Sequence, residues 1–196
     1  MSYVENQKLL LFIVILGIAL VLSTNTFSQK VAILTPQKNA QARKFAENFG
    51  SSLAKHLNIV DLSLAESVLE VKDLADPYNL TVEQSKNLGV SIGCNFFIVI
   101  KTNNQRRSSF ARKEYYESYA TLYLVSSKSG RLVYWKHQTF EEDTIPLAKT
   151  KLFSSISDLA FELRQKITYS INAEINEVEA KAVSYTHLTL PTTPYV

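Results

Sequence analysis

The sequence predicts an α/β domain: a mixed sheet with flanking helices, in two or three layers, with the element order β-α-β-α-α-β-β-β-α. Three observations predict it. The short apolar run from Lys30 to Thr35 is followed at once by an amphipathic stretch, the pattern of a βα unit. The run from Asn95 to Lys101, NFFIVIK, is apolar on both faces, as a central strand covered on both sides must be. Two β-rich runs, Glu117 to Ser126 and Arg131 to Phe140, are joined by Ser127-Lys128-Ser129-Gly130, a turn composition that links antiparallel neighbours. The βα unit brings parallel pairing and the hairpin antiparallel pairing, so the sheet is mixed.

The elements follow in order. The first strand ends at Pro36. Residues 40–57 take a helical period, with Phe45, Phe49, Leu53 and Leu57 on one side beside Ala46, and Lys44, Glu47 and Lys55 on the other. Ile59-Val60-Asp61 is a brief second strand. Ser63 is expected to cap a short helix with Glu66 as its capping-box partner and Leu64, Val68 and Leu69 as its apolar side. Asp76-Pro77-Tyr78-Asn79 punctuates a loop. Thr81 caps the next helix; Val82, Ser85 and Leu88 face inward and Gly89 ends it. After the central strand, TNNQRRSSFARKEYY reads as a polar loop. In the hairpin, Gly130 supplies the positive φ that a tight turn requires. The last element is one long helix on Leu152, Ile156, Leu159, Leu163 and Ile167, with Phe153 and Ala160 adjacent.

Both ends carry segments of another kind. Leu9 to Leu22 is an unbroken apolar run, preceded by Lys8 and followed by STNTFSQ, the order of a secretory signal peptide. As a helix it spans roughly 21 Å, short of the ~30 Å hydrocarbon core, so a cleaved leader is expected over residues 1–29, with an N-terminal membrane anchor as the alternative. The α/β domain occupies residues 30–168. Residues 169–182, with few apolar anchors, form a charged helical extension or linker. Residues 183–196, VSYTHLTLPTTPYV, are Thr- and Pro-rich without an amphipathic period, so an unstructured tail is expected. This string also resembles the in-frame translation of a sequencing adapter; the resemblance implies a sequencing artefact, with a downstream domain missing as the expected consequence.

Composition narrows the function. Apolar content of 46% and charged content of 20% support a real core. A net charge of +3 without a clustered basic stripe argues against nucleic acid. With one cysteine, Cys94, no internal disulfide forms, and no cysteine closely follows the apolar run to carry a lipid.

The catalytic inventory is thin. Of three histidines, His187 lies in the tail, His56 ends the first helix where a positive side chain suits the dipole, and His137 sits on a hairpin strand. Gly89-Val90-Ser91-Ile92-Gly93 fits GxSxG in form. A nucleophile elbow needs a strand before the serine and a helix after it, however, and here the order is reversed. Glu141-Glu142-Asp143 is the densest acidic cluster and reads as a solvated loop; there is neither an HExxH zinc pattern nor a phosphate-cradling glycine loop. No catalytic residue, metal site, cofactor or small-molecule substrate is therefore expected, and an enzyme of unknown class is the remote alternative. The partner-binding candidates are Arg106, Arg107, Phe110, Arg112, Tyr115 and Tyr116, because arginine interleaved with aromatics is favoured at protein interfaces. The aromatics dense around the hairpin, Tyr119, Tyr123, Tyr134 and Trp135 among them, stabilise a sheet by cross-strand pairing, and any that face outward make a docking face.

The stretch from Lys30 to Ile167 resembles a set of bacterial envelope domains: the TolB N-terminal domain, the periplasmic part of CsgG-type secretion proteins and the LpoB-type activators of penicillin-binding proteins. The resemblance rests on VAILTP followed by AQARKFAENFGSSLAKHL, then NIVD, LAESVLE, SKNLGVSIGCNFFIVI and the hairpin end SSKSGRLVYW. Cys94-Asn95 stands where those domains more often have Ala-Asp. The resemblance implies a non-enzymatic exported protein, periplasmic or anchored in the inner membrane facing the periplasm, that acts as an adaptor for other envelope proteins. The alternative is a truncated energy transducer of TonB type with an uncleaved anchor at Leu9–Leu22.

Overall fold

The computed structural model describes residues 29–187, except 73 and 75. Its elements are β1 (Lys30–Leu34), α1 (Ala40–Leu53), β2 (Asn58–Ile59), α2 (Leu62–Val71), α3 (Val82–Ile92), β3 (Phe96–Arg107), β4 (Tyr115–Ser126), β5 (Leu132–Glu142), α4 (Ile145–Ser154) and α5 (Ile156–His187). The sheet order is β2-β1-β3-β4-β5, with β1 parallel to β2 and β3, and β3-β4-β5 antiparallel. The mixed α/β class is as the sequence predicts, and the order of elements along the chain agrees as far as the last strand.

Alternation along the strands builds two cores. One face carries Val31, Ile33, Phe96, Ile98, Ile100, Ala120, Leu122 and Leu124, which pack on Phe45 and Phe49 of α1, Leu152 of α4 and Leu159, Leu163 and Ile167 of α5. The other carries Ala32, Leu34, Phe97, Val99 and Val125, which pack on Ala65 of α2 and Leu88 and Ile92 of α3. The molecule therefore has three layers over β1 and the start of β3 and two layers over the outer part of the antiparallel strands.

Local chemistry sets most boundaries. Asn39 caps α1, its side chain accepting from the Ala42 N–H at 2.8 Å. The capping box of Thr81 and Gln84 opens α3. Gly130 has φ 69° in the β4–β5 turn, as expected, and a Cβ there would run into the Val82 carbonyl oxygen.

Several expectations are corrected. α2 is capped by Asp61, not Ser63, through a bond from the Leu64 N–H at 3.1 Å; Glu66 instead accepts from the Thr35 hydroxyl at 2.7 Å. Gly89 lies inside α3, which runs on to Ile92 and closes at Gly93 with φ 74°. Val82 is exposed rather than inward. The final helix is two helices, broken at Ser155, where the Ser154 and Ser155 hydroxyls bond back to the Lys151 and Leu152 carbonyls and compete with the helical ladder. α5 passes Ala182, where the unstructured tail was expected to begin, and stays helical through His187. No glycine or proline interrupts it before Pro191. The polar loop shrinks to the residues between Arg107 and Tyr115, because β3 and β4 continue pairing well past the apolar stretch. The apolar run Leu9–Leu22, where a leader or an anchor was expected, and residues 188–196 lie outside the described residues. Among the described residues no helix is long and apolar enough to cross a membrane.

Candidate interaction surface

The six candidate residues collect at the far end of the β3–β4 hairpin, but not as one patch. Arg106 pairs with Tyr116 and Arg107 with Tyr115 in strand register, so the two pairs lie on opposite faces of the sheet. Arg106 Nη2 meets Glu114 Oε2 at 2.7 Å, and the Tyr116 hydroxyl donates to the same carboxylate. The Tyr116 hydrogen bond, with Arg106 beside it, holds the Glu114 carboxyl below its ordinary value. Arg112 stacks 4.7 Å over the Tyr115 ring and reaches Glu141 at 3.5 Å and Asp143 at 3.4 Å. Phe110 stands fully exposed at the tip. All three arginines are occupied by carboxylates: Arg106 by Glu114 and Arg107 by Glu117 within the hairpin, and Arg112 by Glu141 and Asp143 at the end of β5. The expected basic loop is a neutralised ion network with an aromatic tip.

Glu117, not among the candidates, is the residue that organises this end. Its side chain, 12% exposed, accepts from Arg107 Nε at 2.8 Å, Gln105 Nε2 at 2.8 Å and the Thr139 hydroxyl at 2.9 Å, tying β3, β4 and β5 together. Partial burial pushes its carboxyl up, but the hydrogen bonds from Arg107, Thr139 and Gln105 outweigh that and hold it below its ordinary value. A depressed carboxylate stabilises the fold above its unfolded-state pKa, and the contribution is lost as pH falls through the folded value. Glu117→Gln is therefore expected to cost about 1–2 kcal/mol at neutral pH. The gap from wild type should narrow as pH drops below about 4. Urea titrations at a series of pH values check this; a gap independent of pH counts against it.

The same register defines a larger surface. Val99, Tyr123 and Trp135 form one row across the sheet; Lys101, Thr121 and His137 the next; then Asn103, Tyr119 and Thr139; then Gln105, Glu117 and Glu141. On the opposite face of these strands Thr102, Ser118 and Ala120 are fully buried, whereas on this face Trp135 is 58% exposed and His137 and Thr139 are exposed. Neither α2 nor α3 extends this far. Tyr78, from the loop before α3, closes one side: its ring lies 6.3 Å from that of Tyr123 and 5.4 Å from Lys101 Nζ. The open half-face is aromatic and flat, with amide, hydroxyl and imidazole groups between the rings. The four-residue spacing of Tyr115, Tyr119 and Tyr123, which keeps all three on one face of the strand, with Trp135 opposite Tyr123, is the sequence signal that points to it.

The remaining chemical candidates are accounted for locally. The Ser91 hydroxyl donates to the Asn87 carbonyl within α3. His137 Nδ1 lies 2.9 Å from the Thr121 hydroxyl, with its ring beside Tyr119. Glu142 is paired with Lys151. Cys94 is buried among Ala32, Leu88 and Val125, and burial pushes its thiol up, away from the reactive thiolate. A cleft of about 330 Å³ lies at the carboxyl end of β1, but its polar groups close on one another: Thr35 on Glu66, and Lys38 on Glu70 at 2.7 Å.

No protein-family model matches the chain, and no curated protein matches it. Solved structures with a low level of similarity are found. A lipoprotein of Neisseria meningitidis is 10% identical with a TM-score of 0.47, covering 67% of this chain and 98% of its own. A hypothetical protein of Chlamydia trachomatis is 10% identical with a TM-score of 0.44, covering 66% and 93%. The LpoB C-terminal domain from Salmonella enterica is 10% identical with a TM-score of 0.37, covering 62% and 90%. Bacterial lipoproteins and LpoB domains are thus among the structures this chain is similar to. At these values the likeness assigns neither family nor function.

Proposed function

We propose that this chain is a non-catalytic exported protein of the bacterial envelope that binds other envelope proteins, with the open face of β3, β4 and β5 as its contact surface. The observation that carries the reading is the group of aromatic side chains, exposed Trp135 with half-buried Tyr119 and Tyr123, on a half of the sheet that no helix among the described residues covers. Aromatic residues concentrate binding energy because they bring large area at low entropy cost, and an exposed apolar patch on a folded domain marks a contact site. The leader-like Leu9–Leu22 puts that contact in the periplasm, with the domain released there or anchored in the inner membrane. Phe110 and the Arg112–Tyr115 stack extend the surface to the hairpin tip, where the charges are already neutralised. Contact there relies on stacking and hydrogen bonding rather than on a net positive field.

A photo-crosslinking phenylalanine analogue in place of Trp135, in cells expressing the full chain, is expected to yield a discrete adduct in the envelope fraction containing a second, different envelope protein. The same probe at Lys44, exposed on α1, should yield none. Adducts only with further copies of this chain, or equal labelling from both positions, overturn the reading.

A further inference from the structure

The two edges of the sheet are unequal. β2 pairs over Asn58–Ile59 alone, whereas β5 presents Leu132–Glu142, and among the described residues no strand lies beyond it. An edge strand exposes a row of unpaired N–H and C=O groups, and proteins that keep it single blunt it with proline, lysine, an uncompensated inward-pointing charge, short length or a bulge. β5 is long and has no proline. Its irregularity lies at its very start, opposite Leu124 and Val125, and leaves Tyr134 to Glu142 in regular register with β4. Its one lysine, Lys136, is turned to the helical face and held by Glu162 at 3.1 Å.

We propose that β5 pairs antiparallel with β5 of a second copy of this chain, about a two-fold axis through His137. The choice of a second copy rests on the strand's own complementarity. A two-fold perpendicular to the sheet keeps the faces matched, and overlap of Tyr134–Phe140, all in regular register, puts the axis at the middle residue, His137. Tyr134 then faces Phe140, Trp135 faces Thr139 and Lys136 faces Gln138, so no two like charges stand opposite. Neighbouring registers are worse: shifting the axis to Lys136 sets two lysines face to face, and shifting it to Gln138 sets Trp135 against Glu141 and Tyr134 against Glu142. The product is one continuous sheet with the open aromatic faces of both copies on the same side. Leu147, exposed on the α4 helix that packs under β4 and β5, lies on the other side. The dimer does not depend on the adaptor reading, since the edge and the open face are different surfaces.

The test is covalent and geometric. Facing Cα atoms in an antiparallel pair lie about 4.5–5.5 Å apart, within the ~4.4–6.8 Å that a disulfide accepts. His137→Cys sits on the axis and should link to itself. Thr139→Cys sits about 13 Å from its own copy and should not. Cys94 is buried and stays silent. Cells expressing the full chain, opened under mild oxidation, are expected to show a disulfide dimer for His137→Cys only. The wild-type product purified from the envelope should sediment as a dimer. His137→Asp, which sets two carboxylates face to face, should weaken that dimer about fivefold. A wild-type product that sediments as a monomer at every concentration overturns the proposal, whatever else covers the edge. So does a Thr139→Cys chain that links as readily as His137→Cys.

Discussion

Phe97→Ala is expected to cost about 3–5 kcal/mol. Phe97 has no exposed surface, and its backbone is paired on both sides, with Ala32 of β1 and Val125 of β4. Its ring fills the space between the sheet and the α2–α3 layer, against Leu34, Leu88, Ile92 and Val99. The cost depends on how far the surroundings can collapse, and here they cannot collapse far. The strand is fixed by two neighbours, and the ring already borders a cavity of about 220 Å³ lined by Tyr78, Val99 and Tyr123. Removing the ring enlarges that space instead of closing it, which places the loss toward the upper end of the range. For a chain of this size the melting temperature should fall by about 10 °C or more. Phe161→Ala, on the exposed side of α5, is the control and should fall within about 0.5 kcal/mol of wild type. Denaturant titration of the pair decides it: a loss below about 1 kcal/mol for Phe97→Ala would show that the α2–α3 layer does not depend on the ring.

What the sequence made legible was whatever is decided by neighbours in the chain. Phe45, Phe49 and Leu53 recur at helical spacing and are buried together. Thr81 and Gln84 cap each other across a single turn, and Gly130 takes the positive φ its turn requires. Leu152, Ile156, Leu159, Leu163 and Ile167 all face the core, although the break at Ser155 was hidden because the apolar spacing runs across it. What stayed hidden is decided by distant pairing. Thr102 to Arg107 look like a loop because their side chains are polar. They form strand because β4 supplies backbone partners to the last residue and Glu117 takes up Gln105 and Arg107. The same distance effect misled the site. Three arginines in a short run read as a basic patch until folding sets Glu114 beside Arg106, Glu117 of β4 beside Arg107, and Glu141 and Asp143 from the end of β5 beside Arg112. The open face lies one step further off, since it exists only because α2 and α3 cover one half of the sheet and leave the other.

Gly89→Val is the second large effect, expected at about 3 kcal/mol, and it separates a structural motif from a catalytic one. Gly89-Val90-Ser91-Ile92-Gly93 has the letters of a nucleophile elbow, so a loss on mutating it would be easy to misread. In the fold the first glycine is where α3 touches the β4–β5 turn. A Cβ at Gly89 would run into the Ser127 side chain and come within 3.1 Å of the Ser127 Cα, which is backbone and cannot swing away. The Gly89 carbonyl also accepts from the Gly93 and Cys94 N–H groups, so the helix end cannot shift without breaking its own closure. Gly93 differs: its positive φ of 74° is the constraint, nothing lies within 4 Å of a Cβ there, and Gly93→Ala should cost only about 1 kcal/mol. Ser91 is exposed and bonds only within its helix, so Ser91→Ala should be neutral to within about 0.5 kcal/mol. The order Gly89 over Gly93 over Ser91 is the signature of packing, and an elbow would rank Ser91 first in any functional assay. A double-mutant cycle completes the test. Ser127→Gly removes the clashing side chain and should recover part of the Gly89→Val loss, giving a coupling of about 1 kcal/mol or more. Full additivity of the two substitutions would mean that the helix and the turn do not meet at Gly89 and Ser127.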